Sequence, residues 1–167
     1  MIRHSQIDDI PQMMKLIKQA QMYFKNNAID QWQDGYPNEK QLLQDIHKNQ
    51  SYVYVENSVI ATMYFAIEND ISYDYIEGSW LTFDSTYAVI HRIVVDTNFK
   101  GQGLAKKLLD YAIRQCLSHD VYSIRIDTHK DNLSMQSFLI KNGFQYCGVI
   151  YLESGASRIA FEKLLNK

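Results

Sequence analysis

Apolar residues recur along this chain at two spacings, and the switches between them mark its elements. Ile2 to Ser5 has the length of a short strand. From Ile10 the spacing becomes helical: Ile10, Met13, Met14, Ile17, Ala20 and Met22 to Phe24 share one face. Asp8 or Asp9 can cap that helix, Pro11 suits its first turn, and Asn26-Asn27 ends it. Ile29 to Pro37 follows, a loop too aromatic for a linker, with Trp32 and Tyr36 in it. A second helix starts at Asn38 or Glu39 and runs to about His47, with Leu42, Leu43 and Ile46 facing inward. Ser51 to Glu56 and Val59 to Ile67 then read as a hairpin around Asn57-Ser58.

Residues Glu68 to Thr86 break the pattern. They are acidic and tyrosine-rich, with Asp70, Asp74, Glu77 and Asp84, and read as a long excursion with room for a broken strand. Ala88 to Val95 is a β-branched apolar run, the central strand. Leu104, Leu108, Leu109 and Ala112 predict a helix over 102–118. Tyr122 to Thr128 is the next strand, and Asn132 to Asn142 a helix stopped by Gly143. Phe144 to Glu153 and Arg158 to Leu165 close as a hairpin around Ser154-Gly155-Ala156-Ser157. The order βααβββαβαββ predicts an α/β domain, with a mixed sheet and helices on both faces.

Composition narrows the class. The chain has 167 residues, enough for one domain with a sizeable core, here residues 1–167. A net charge of -2 argues against nucleic acid as a partner, since a binder usually shows a basic stripe. No apolar run reaches the length of a membrane span, and Met1 to His4 lacks a signal-peptide core, so no membrane partner is expected. Cys116 and Cys147 are too few and too isolated for a disulfide framework or a metal cluster. A reducing cytoplasm is the expected compartment, and no metal is expected. Twelve tyrosines and two tryptophans suggest an aromatic-lined pocket or an association surface, such as that of a homodimer; most will be core and rim.

The candidate chemistry centres on Lys100-Gly101-Gln102-Gly103-Leu104-Ala105, between the central strand and a helix. A helix N-terminus offers unpaired N–H groups and the positive end of a dipole. Glycines ahead of it remove the Cβ atoms that would hold a phosphate away, which makes an anion cradle suited to a pyrophosphate. The loop is neither G-x-x-x-x-G-K-[ST] nor G-x-G-x-x-G, because Lys106 stands where the latter has its third glycine.

The loop resembles the acetyl-CoA signature of the GNAT-superfamily N-acetyltransferases, [QR]-x-x-G-x-[GA], with Lys100, Gly103 and Ala105 at its defined positions. Lysine at the first position departs from the pattern but keeps a positive charge. About thirty residues on, Asn132 to Phe144 resembles the family's second landmark, an Asn followed by a helix and a closing Gly-Phe. The element order agrees on both sides. The resemblance implies the acyl-CoA N-acyltransferase fold: a mostly antiparallel twisted sheet of about six or seven strands with about four helices. It implies acetyl-CoA as co-substrate and an amine as acceptor. Backbone groups of Ile93, Val94 and Val95 would run beside the pantetheine arm. Those of Gln102, Gly103, Leu104, Ala105 and Lys106 would hold the pyrophosphate, with Lys100 and Gly101 completing the cofactor-binding loop, and Asn132 would contact the pantetheine side or order the local backbone.

The reaction needs a base, because an alkyl ammonium has a pKa of about 10.4 and must lose a proton before attack. His91, on the central strand, is the candidate; a core histidine bonded to a neighbouring strand is the competing reading. Arg92 points to the opposite face by strand alternation and reads as a structural ion-pair partner. The family's usual acid, a tyrosine four residues before the Gly-Phe by the same resemblance, is Leu139 here. Candidate substitutes are Tyr146, Tyr151 and Ser134; Cys147 reads as an inert buried thiol. Asp127 and His129 share a face, so a carboxylate–imidazole pair is one reading and an ordered network around Asp131-Asn132 the other. Trp32, Tyr36 and Glu77 stand in segments that wall the acceptor site in the superfamily, and a solvated acidic loop is the alternative for Glu77. The function read from these residues is N-acetyl transfer to an amine, a small molecule ahead of a peptide. The alternative is a non-catalytic acyl-CoA-binding or sensor module on the same fold.

Overall fold

The computed structural model describes residues 1–166. It is a mixed α/β chain of eight strands and four helices. That is one strand beyond the expected range, because the excursion contributes a two-residue strand. No helix among the described residues is long and apolar enough to cross a membrane. The chain divides into two compact units, one of residues 1–65 and 91–112, the other of 66–90 and from 113 onward.

The first unit opens with β1 (Ile2–His4) and α1 (Ile10–Asn26). A single 3-10 turn over Ile7–Asp9 joins them, and Asp9, with Gln6, closes a capping box there. Helix α2 (Glu39–His47) is capped by the Asn38 side chain, which accepts from the Gln41 N–H at 2.9 Å. Strands β2 (Ser51–Val55) and β3 (Val59–Ile67) pair antiparallel, and β1 adds to β2 with Ile2 opposite Tyr54. Met13, Leu16, Ile17, Leu42, Val53, Val59 and Val94 make one core cluster. Met22, expected on the apolar face of α1, instead points to solvent, and Leu16 takes the buried position. A 100° step per residue places 13, 16, 17, 20 and 24 on one side and 22 off it.

The second unit carries β4 (Glu77–Gly78), the start of β5 (Ala88–Val95), the end of α3 (Leu104–Ser118), β6 (Ser123–Thr128), α4 (Leu133–Lys141), β7 (Gln145–Tyr151) and β8 (Ser157–Leu164). Strand β5 pairs parallel with β6 through Ala88 opposite Ile124 and Val89 opposite Arg125. The other ladders of this unit, β6 with β8, β7 with β8 and β4 with β7, are antiparallel.

The excursion keeps its acidic residues Asp74, Glu77 and Asp84 exposed but is pinned at a few points, and buried polar groups do the pinning. Glu162 on β8 is fully buried and accepts from the Leu81 N–H at 2.7 Å and from the hydroxyls of Thr82 and Ser123. Arg125 lies between the rings of Trp80 and Tyr87, 4.3 and 4.1 Å from their centroids. Its guanidinium donates to the Thr82 carbonyl at 2.9 Å, and its Nε lies 3.4 Å from Glu162. Tyr73 buries its ring and donates to Asp127 at 2.6 Å. Asp127 therefore anchors the excursion, while the imidazole of His129 accepts from the Asp131 N–H at 3.0 Å.

Candidate active site

Strand β5 ends at Val95, and the carboxylate of the next residue, Asp96, accepts from the Asn98 N–H while its own N–H donates to the Ile60 carbonyl, both at 2.9 Å. One 3-10 turn over Thr97–Phe99 leads to Lys100. The Lys100 ammonium rests on the face of Tyr23, 4.6 Å from the ring centroid. Gly101 and Gly103 both hold left-handed backbone, with φ of +80° and +76°. A Cβ at either position would meet no heavy atom of the protein within 4 Å, so the space above both residues is open. Helix α3 begins at Leu104 rather than Gln102, because the second left-handed residue delays the start. The Lys107 N–H donates to the Gly103 carbonyl at 3.0 Å, so the turn formed by Leu104, Ala105 and Lys106 is the first of the helix. Its N–H groups have no intrahelical acceptor and carry the positive end of the dipole. The Lys106 ammonium pairs back along the helix with Asp110 at 2.8 Å. The arrangement fits an anion approaching backbone N–H groups.

Upstream of the loop, His91 lies half-buried on β5 with its ring 5.7 Å from that of Tyr64. The next residue, Arg92, has φ of +51°, a left-handed conformation inside a strand. Its guanidinium forms two bonds to Asp45 on α2, Nε to Oδ2 and Nη2 to Oδ1, both at 2.8 Å. Its Nη1 donates to the Tyr36 hydroxyl at 2.6 Å, and its carbon lies 4.6 Å from the Tyr64 centroid. The ion pair expected of Arg92 is present, but strand alternation does not hold through a left-handed residue. Asp45 itself was not expected. It sits on the inward stripe of α2, three residues after Leu42, and an acid on an apolar stripe was the signal that could have found it. Ile93 and Val95 are half-buried and Val94 is buried. Tyr36 is exposed, whereas Trp32 packs edge-on to Phe24 at 5.7 Å and leans on the core.

The second unit holds the remaining candidates. Asn132 is buried and caps α4, its side chain accepting from the Met135 N–H at 3.1 Å. It is the helix cap rather than the first helical residue. Leu139 is 1% exposed, a core residue. Ser134 is exposed in the first turn of α4, and Tyr146 is exposed with its ring edge-on to Phe161 at 5.9 Å. Tyr151 and Glu77, predicted for different roles, meet each other: the Tyr151 hydroxyl donates to the Glu77 carboxylate at 2.9 Å. That bond holds the Tyr151 phenol above its ordinary pKa, since ionising it would set two negative charges together. Cys147 is buried, and burial pushes its thiol up, as an inert thiol requires.

Comparison with known proteins agrees with this geometry. A GNAT acetyltransferase from Streptococcus agalactiae 2603 is 34% identical, with a TM-score of 0.89, over 100% of this chain and 96% of that one. A GNAT acetyltransferase from Listeria monocytogenes 4b F2365 shares the fold at 20% identity and a TM-score of 0.73, over 99% of this chain and 94% of that one. The PaiA N-acetyltransferase of Thermoplasma acidophilum, whose structure contains coenzyme A, shares it at 17% identity and a TM-score of 0.72, over 98% of each chain. No curated protein matches the sequence. The sequence model of the acetyltransferase (GNAT) family matches residues 13–144, and the chain belongs to that family.

Proposed function

We propose that this protein transfers the acetyl group of acetyl-CoA to the nitrogen of an amine, a small molecule ahead of a peptide, within one ternary complex. The observation that carries the reading is the left-handed glycine pair with open space above it, at the first turn of α3. Backbone N–H groups of residues 102–106, in the cofactor loop of 100–106, take the pyrophosphate, and residues 93–95 offer strand-like backbone to the pantetheine arm. Asn132 contributes by fixing the start of α4. Bound coenzyme A in the Thermoplasma relative supports the choice of ligand. The whole chain is read as one catalytic domain, since each unit is discontinuous in sequence and the family match runs through both. A reducing cytoplasm, where acetyl-CoA is made and used, is its expected place.

In this reading His91 takes the proton of the acceptor ammonium, and the amine lone pair attacks the thioester carbonyl. The C–N bond forms, the C–S bond breaks, and the thiolate leaves with a proton from a nearby donor or without one. Tyr146, Ser134 and Tyr151 are the donors proposed; the proton of Tyr151 is already shared with Glu77. Trp32, Tyr36 and Glu77 are proposed as acceptor contacts. Release of free thiol from acetyl-CoA, measured against a panel of amines, tests the reading. Turnover should be seen, and His91→Ala should lower it by roughly 10²–10⁴-fold with coenzyme A affinity unchanged. Tight binding without turnover would favour the non-catalytic module, for which the buried Leu139 at the usual acid position speaks.

A further inference from the structure

Among the described residues, Arg92 is the one non-glycine residue with left-handed backbone inside a strand. Left-handed backbone is unfavourable for any residue with a Cβ, and such residues persist only where their surroundings over-determine them. Here the surroundings are specific. The guanidinium is forked onto a buried carboxylate, Asp45, whose Oδ1 also accepts from the Gln41 side chain at 2.9 Å. The same guanidinium lies over Tyr64, which is held through its hydroxyl by Gln50 at 2.6 Å and carries the His91 ring beside it. A buried ion pair is a poor source of net stability, because desolvation offsets much of its attraction. This one is made by a residue whose backbone is left-handed.

We propose that Asp45 is a positioning residue for acetyl transfer: its carboxylate clamps Arg92 in the left-handed conformation that turns the β5 backbone between His91 and Ile93. The proposal rests on the reading of β5 as the strand that carries the base and lines the acyl-CoA arm. A left-handed residue in a strand rotates the peptide that follows it, as glycine does in one class of β-bulge. Without the clamp, Arg92 relaxes toward ordinary extended backbone, and His91 and the Ile93 N–H change direction together.

Glycine separates a clamp from a mere structural contact, because it adopts φ of about +50° without help. In Asp45→Ala, kcat for acetyl transfer should fall on the order of 10²-fold, the cost of a misplacement near 1 Å. In Asp45→Ala/Arg92→Gly, kcat should recover most of that loss although every contact of the pair is gone. A double variant as slow as Asp45→Ala would overturn the proposal, as would an Asp45→Ala enzyme as fast as the parent. Should Asp45→Ala fail to fold, Asp45→Asn, which keeps the shape and one acceptor oxygen, takes its place in the same comparison. Crystal structures of the single and double variants judge the clamp apart from turnover. Residue 92 should leave the left-handed region in the first and keep it in the second; a left-handed Arg92 in Asp45→Ala would refute the clamp. A parent protein that never turns over would sink the acetyltransferase reading, while the backbone at residue 92 would still decide the clamp.

Discussion

A single side chain tests the glycine loop. At Gly103 the backbone is left-handed and nothing of the protein lies within 4 Å of where a Cβ would stand. The Cβ of Gly103→Val therefore meets no protein atom beyond its chain neighbours, and the left-handed backbone costs about 1–2 kcal/mol. Its bulk enters the space that the proposed pyrophosphate needs. The variant should fold, melt a few degrees lower, and bind coenzyme A at least about tenfold more weakly by calorimetry, a loss of roughly 1.4 kcal/mol. Unchanged affinity in the folded variant would remove the loop from the site. Leu139 gives the converse case. Fully packed in α4, it leaves no room for a ring. Leu139→Tyr should destabilise by roughly 1–3 kcal/mol on thermal unfolding, with further cost if the hydroxyl finds no partner. Turnover should not rise; a large rise at unchanged acceptor affinity would show that the acid position still functions once refilled.

At the scale of elements, sequence periodicity carried most of the fold. It located α1, α2, the 51–67 hairpin, β5 and the closing hairpin to within a residue or two, because each has an apolar face of the right period. It allowed a broken strand in the excursion but did not place β4, since Glu77-Gly78 has no period to read. What holds β4 is a close backbone approach: a Cβ on Gly148 would lie 2.2 Å from the Glu77 carbonyl oxygen, and one on Gly78 equally near that of Cys147. Gly148→Ala should therefore detach β4 from β7. The Ser79 N–H, bonded to the Cys147 carbonyl at 2.9 Å, should then exchange with solvent much faster, and unchanged protection would contradict the account. The joint between β1 and α1 makes a pH prediction. Arg3 binds Asp9 through two bonds of 2.8 and 3.0 Å, and this partner, helped by the Gln6 N–H, holds the Asp9 carboxyl below its ordinary range. A depressed carboxyl contributes stability above its unfolded pKa, near 3.9, and loses it as pH falls through the folded value. The stability gap between the parent and Asp9→Asn should be full near neutral pH and close in acid. A gap independent of pH down to about 2 would show that the charge of Asp9 contributes nothing.

For the molecule as a whole, the candidate site was legible where it consists of backbone and hidden where it consists of side-chain networks. Glycines and a helix start can be read in order along the chain. Asp45 beneath Arg92, and Glu162 beneath residues 81 and 82, join positions about 47 and 80 apart, which no local pattern reports. The second of these networks sets a test for the stability of the whole chain. Glu162, itself fully buried, is the acceptor for Leu81, Thr82 and Ser123 and the counter-charge of the buried Arg125. Removing it leaves a buried guanidinium and three donors without their acceptor. Breaking a buried pair in this way costs roughly 3–5 kcal/mol, a large share of the ~5–15 kcal/mol that stabilises a typical domain. For a chain of this size Glu162→Ala should lower the melting temperature by about 6–20 °C. Glu162→Gln, which keeps one acceptor oxygen and the volume, should lose less. The same loss should appear by circular dichroism and by fluorescence of Trp80, because its ring stacks on Arg125. If Trp80 loosens at a lower temperature than the backbone signal, the excursion unfolds on its own, and Glu162 pins only that segment. If the two signals coincide, the carboxylate that holds residues 81 and 82 in place also limits the stability of the entire protein.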